Sequence, residues 1–147
     1  MSLTYKNIIV AVDGSNESEL AFKRAIQVAM NNKGSILYVV HVIDTRTFAV
    51  YESYNREMAE QANNLAFEML TAYEQKALSA GVENVQTIIE YGSPKQMIAR
   101  EIPKAKNIDL IICGVTGKGD VERLLLGSVS EAIVRSAICD VLVVRNI

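Results

Sequence analysis

The chain has 147 residues, half of them hydrophobic and 22% charged, with 15 Lys and Arg against 17 Asp and Glu for a net charge of −2. Such a balance excludes a disordered chain, and the near-neutral charge leaves no electrostatic footprint for nucleic acid or an anionic membrane. The longest apolar runs, 8–12 and 36–40, are five residues long, against the roughly 20 that a membrane span needs.

In chain order, five short apolar runs read as strands: 8–12, 36–42, 85–91, 110–113 and 141–144. Four are nearly continuous Val, Ile and Leu, as in parallel strands covered on both faces. The third carries Gln86, Thr87 and Glu90 and reads as less buried, nearer an edge. Between them lie helical patterns. Residues 15–30 bring Leu20, Phe22, Ala25, Ile26 and Ala29 near one face, and 57–79 repeat Met58, Ala62, Leu65, Met69 and Tyr73 at steps of three and four. Residues 44–56 fit neither pattern, and their length suggests a functional flap or an excursion. Gly92-Ser93-Pro94 supplies an N-cap serine and a first-turn proline for a third helix, with Met97, Ile98 and Ile102 on its inner face and Pro103 expected to stop or kink it. A fourth helix is expected over 128–136, with Val129, Ile133 and Ala137 on one face. The alternation predicts a single α/β domain over 1–147, a three-layer sandwich around a parallel sheet.

At this length one core buries roughly 70% of the unfolded chain's surface, so no staples are needed. Cys113 and Cys139 are read as small packed hydrophobes in a reducing compartment. There is no paired-Cys metal spacing, and His41 is the sole histidine, so any catalytic triad would have to be built on it. Within Tyr38-Val39-Val40-His41-Val42 it reads as a packed strand histidine. The N-terminus lacks a signal-peptide pattern, and a cytoplasmic location is expected.

Chemistry concentrates in two segments that belong at the carboxyl ends of strands, where open α/β sheets bind ligands. In Ala11-Val12-Asp13-Gly14-Ser15 a strand stops at an acidic residue and a helix begins. In Gly114-Val115-Thr116-Gly117-Lys118-Gly119-Asp120 three glycines let the backbone approach a ligand without Cβ interference. Gly127, Ser128, Val129 and Ser130 then open the last helix, offering free amides, the positive dipole end and two hydroxyls. Together these form a phosphate cradle, which Lys118 and Arg123 either supplement or merely solvate. Asp13 either meets a ribose hydroxyl or a phosphate-bound Mg2+, or caps the first helix in competition with Ser15. Neither a Walker A loop nor a dinucleotide fingerprint fits: position 120 is Asp120, and position 122 is Glu122 instead of glycine.

The spacing Gly114-x2-Gly117-x9-Gly127-Ser128 resembles the signature of the nucleotide-binding branch of the universal stress proteins. The likeness extends over the opening 5–15 segment, Val40-His41-Val42, Gly92-Ser93-Pro94 and the closing 141–144 run. It implies a Rossmann-like, adenine nucleotide alpha hydrolase-like sheet of order 3-2-1-4-5 that binds ATP as a homodimer. Carried over by position, Ala11, Val12 and Asp13 would line the adenosine pocket, the Val42 backbone would read the adenine edge, and Gly114, Gly117, Gly127, Ser128, Val129 and Ser130 would hold ribose and phosphates. Asp13 would be the Mg2+ contact. The family often has His where this chain has Thr116, and Pro where it has Asp140; neither change breaks the cradle. In that strand order Cys113 and Cys139 lie at opposite ends of the sheet, which argues against a disulfide. The apolar last strand would be an edge, and pairing with a second copy would cover it.

The leading expectation is therefore an ATP-binding regulator in stress adaptation, hydrolysing ATP slowly at most. An adenylating or nucleotidyl-transfer enzyme on the same fold is the alternative; it would need a second substrate pocket, for which 44–56 is the candidate wall. A ligand-free dimerisation module is a third reading, opposed by the intact glycine motif.

Overall fold

The structure is a computed structural model that describes residues 4–45, 55–115 and 126–145. Five strands, β1 (Asn7–Ala11), β2 (Ile36–Asp44), β3 (Val85–Gly92), β4 (Leu110–Gly114) and β5 (Asp140–Val144), form a sheet of order β3-β2-β1-β4-β5. Every pairing is parallel. The expected fold class and strand order are those observed, and the polar third strand is indeed an edge.

Two apolar layers sandwich the sheet. On one face α1 (Asn16–Asn31) and α2 (Asn55–Ala80) pack Phe22, Ala25, Leu70, Tyr73 and Ala77 onto Val10, Val39 and Ile112. On the other, Ile98, Ile102 and Ile133 meet Ile9, Val40 and Ile111. Those three isoleucines come from the α3 (Pro94–Gln96) to α4 (Ile102–Lys106) segment and from α5 (Ser128–Ser136). Alternate residues of each central strand therefore face opposite layers, and both sets must be apolar. The crossovers flanking β1 thus put helices on opposite faces, which opens a crevice above β1 and β4.

One expectation is corrected, and a second, that Pro103 stops or kinks its helix, is narrowed. Leu65 was placed on the inner face of α2, but it is 67% exposed, and Ala66, Leu70, Tyr73 and Ala77 are the buried positions. Steps of three and four admit two neighbouring stripes, and contact with β2 and β3 selects the one that Leu65 misses. Nor does Pro103 end its helix. The turn Met97–Glu101 widens to π geometry, with the Ile102 N–H bonding the Met97 carbonyl. The helix then runs through Pro103 to Lys106. The wide turn gives proline, which has no N–H and clashes in a regular turn, a place in the chain, and its ring is fully buried.

Gly114 is where β4 meets α1: a Cβ there would lie 2.8 Å from the Glu17 carbonyl oxygen. That neighbour is backbone and cannot rotate away. Gly114→Ala is expected to cost about 1–3 kcal/mol, seen as a lower urea midpoint; an unchanged midpoint would mean that α1 slides freely on β4. Leu70→Ala is expected to cost about 2–5 kcal/mol and Leu65→Ala under about 0.5, a contrast that chemical denaturation reads directly.

Candidate functional site

A cavity of about 350 Å3 lies at the carboxyl ends of the strands. One wall is the turn from β1 into α1. Ser15 caps α1 by accepting the Ser18 N–H, and Asp13 Oδ1 accepts the Ser15 N–H at 2.9 Å. Gly14 sits at φ +82°, a left-handed conformation that side chains avoid. Ser18 Oγ donates to the Ser15 carbonyl and accepts the Asp13 N–H. The two roles weighed for Asp13 thus divide: the cap belongs to Ser15, while the Asp13 carboxylate braces the turn and stands in the cavity wall.

A second wall is the start of α5. Its N-cap is Gly127, which provides no side-chain cap. Among the described residues, the backbone N–H groups of Ser128, Val129 and Ser130 donate to no side chain or loop carbonyl, whereas the Gly127 N–H donates to the Val115 carbonyl at 2.9 Å. Three unpaired amides at the positive end of a helix, in a cavity wall, suit an anion. The Ser130 hydroxyl is already engaged, donating to the Gly114 carbonyl at 2.7 Å. It ties β4 to α5, so what Ser130 offers as a donor to a ligand is its amide.

The structure brings Ala11, Val12, Asp13, Val42, Gly114, Gly127, Ser128, Val129 and Ser130 together around this one cavity. Gly117, Lys118 and Arg123 lie outside the described residues, as do 46–54 of the 44–56 segment. The cavity also takes in Ser18, His41, Pro94, Ile98, Cys113 and Ile133, which were not assigned to it from the sequence. Pro94 and Ile98 arrive because β3 and its helix fold beneath the crevice; their only sequence signal was the Gly92-Ser93-Pro94 turn. His41 is part-buried, with Nδ1 2.8 Å from the Val12 carbonyl. Asp13 is the one charged residue among the described lining residues. No group of three or more His, Cys, Asp or Glu able to hold a metal ion occurs among the described residues, and no helix there is long and apolar enough to cross a membrane.

With fold and site in place, comparison with known proteins is decisive. The chain matches the universal stress protein family over residues 4–145. It belongs to that family. A universal stress protein homologue from Staphylococcus haemolyticus is 50% identical over 144 residues, covering 98% of this chain and 87% of that protein. Among solved structures, the universal stress protein UspA from Lactobacillus plantarum superposes with TM-score 0.88 at 28% identity, covering 98% of this chain and all of that one. The protein MJ0577 gives TM-score 0.88 at 28% identity over 99% of both chains. A universal stress protein in complex with cAMP shares the fold, with TM-score 0.74 at 24% identity over 97% of this chain and 98% of that one.

Both cysteines of this family member are free. In the parallel register Cys113 pairs with Val143 while Asp140 pairs with Leu110, so Cys139 lies at the far end of the sheet. Burial pushes the Cys113 thiol up to about 11, opposed in part by the Ser130 hydroxyl. Cys139 is raised to about 11 by burial and then by the Asp140 and Asp109 charges. A raised thiol holds less thiolate at neutral pH, about a hundredfold less for two units. Iodoacetamide should therefore label the native protein at pH 7 about a hundred times more slowly than it labels the urea-unfolded chain. Equal rates would contradict the burial of Cys113 and the partial burial of Cys139.

Proposed function

We propose that this universal stress protein binds ATP, with Mg2+, in the cavity between the β1–α1 turn and the start of α5, and acts as a nucleotide-sensing regulator in stress adaptation. The observation that carries the reading is the uncapped α5 N-terminus in the same cavity lining as Asp13. Amides without partners favour phosphate oxygens, and a helix dipole adds to that attraction. A lone carboxylate in that lining would repel a polyphosphate. A hard divalent cation bridging Asp13 and phosphate oxygens removes the conflict, and Mg2+ accepts one carboxylate with phosphates and water. The Val42 backbone, Ile98 and Ile133 supply the less polar end where a purine would lie. The stress role rests on the family membership.

The same reading includes a homodimer through β5. Among the described residues that strand pairs with β4 alone, its residues Val141, Leu142 and Val143 are half-buried, and Ile138 nearby is 51% exposed. An unguarded apolar edge favours pairing with a second copy. Light scattering at about 50 μM protein should read twice the chain mass; a single-chain mass retires the dimer.

Titration calorimetry with Mg·ATP, ATP in EDTA, adenosine and cAMP tests the site. Mg·ATP should bind most tightly, and ATP without the metal about tenfold more weakly. Gly127→Leu should abolish nucleotide binding with the circular dichroism spectrum unchanged, because a branched side chain would stand at the mouth of the amide cluster. Wild-type affinity in that variant would move the phosphates elsewhere. Steady AMP release that requires an added acceptor would replace the regulator with a nucleotidyl-transfer enzyme.

A further inference from the structure

The hydrogen-bond ladder between β1 and β2 stops one bond early. Its phase is set by the Ile36 N–H to the Lys6 carbonyl at 2.8 Å and the Val12 N–H to the Val40 carbonyl at 2.9 Å. Even-numbered residues of β2 therefore turn their backbone groups toward β1, and odd-numbered ones toward β3, as the Leu37 N–H to the Asn84 carbonyl shows. The next rung would join the Val42 N–H to the Val12 carbonyl. It is not made: the register closes at Ala11 with Val40, and no backbone bond links Val42 to Val12. The Val12 carbonyl instead meets His41 Nδ1 at 2.8 Å. A carbonyl can only accept, so Nδ1 carries the proton and donates.

This leaves the Val42 N–H unpaired on the β1 side of β2, in a residue only 7% exposed. Buried backbone donors without partners are rare and point to a bound group or a water. Val12, His41 and Val42 all line the cavity. We infer that His41 is a positioning residue that holds the ladder open: by taking the Val12 carbonyl it keeps the Val42 amide free for an acceptor atom of a ligand, such as a ring nitrogen of a heteroaromatic base. The ladder half of this statement stands on the hydrogen bonds alone. The ligand half rests on the nucleotide reading above.

The test separates the two. His41 is the sole histidine, so a long-range proton–nitrogen correlation spectrum of the full chain at alkaline pH reports it alone. The ring should be protonated at Nδ1; protonation at Nε2 overturns the inference. Hydrogen exchange follows the Val42 amide. In the wild type it should exchange about tenfold faster than Val40, whose amide lies within the ladder, and in His41→Phe it should slow as the freed Val12 carbonyl closes the rung. Equal Val42 rates in the two proteins overturn it. Phenylalanine keeps the ring volume and removes the donor, whereas His41→Asn restores an N–H near the position of Nδ1. Adenosine should bind about tenfold more weakly to the Phe variant and within about threefold of wild type to the Asn variant. Equal losses in both would mark a packing role and overturn the assignment. If wild-type protein binds no nucleoside or nucleotide, the proposed function falls, while the tautomer and exchange results still decide the role of His41.

Discussion

The central strand of this sheet is shorter than its neighbour, and the site exists because of that shortfall. β1 ends at Ala11, opposite Val40, while β2 continues to Asp44. The Val42 N–H, on the β1 side of β2 above that point, has lost its natural partner. The chain leaves β1 toward the face that carries α1 and leaves β4 toward the opposite face that carries α5, so the two connections diverge above the gap. A cavity bounded by strand backbone, a tight acidic turn and a helix start follows from this geometry.

Much of the polar and glycine chemistry around the cavity holds the protein together and does not reach for a ligand. Gly114 lacks a side chain because the Glu17 backbone occupies the space. The Ser130 hydroxyl binds the Gly114 carbonyl, and the Asp13 carboxylate braces the Ser15 amide. Each bond satisfies a group that would otherwise be buried without a partner, and each fixes a wall element relative to the sheet. Among the described residues, the groups left without a partner are therefore informative, and they include three amides at the start of α5 and one on β2.

Two of the helix starts beside the cavity, those of α1 and α5, differ in a way that sorts their roles. α1 is closed by Ser15, with the Ser18 and Asp13 groups completing a local network. α5 begins at a glycine that has no side chain to spend on its own amides. A capped helix end has little left to offer an anion, and an uncapped one keeps its donors in reserve. The free amides of α5 and the Asp13 carboxylate line the same cavity, and on that pairing the proposed metal-bridged nucleotide rests.

The strands were legible because a parallel strand buried on both faces must be apolar at consecutive positions, and no surface segment imitates that. The polar edge character of β3 could be read for the same reason, and the α5 bounds from the helical spacing of Val129, Ile133 and Ala137. α2 was harder: its inner stripe and the neighbouring one that carries Leu65 satisfy the same spacing, and only contact with the sheet selects between them. The passage through Pro103 was hidden because a widened turn has no composition signature. The cradle segments could be placed at the sheet end from glycine spacing and family likeness, yet the commitment of the Ser130 hydroxyl to Gly114 could not.

The sequence by itself determined which residues are apolar, where the chain can turn and where side chains are absent, since these are properties of single residues and near neighbours. Only the tertiary structure decided which carbonyl His41 engages, which amides stay unpaired, and that Pro94 and Ile98 close a cavity opened by Asp13. Those are pairings between segments far apart in the chain, and their partners are set by how strands align and helices cross, which no local pattern encodes.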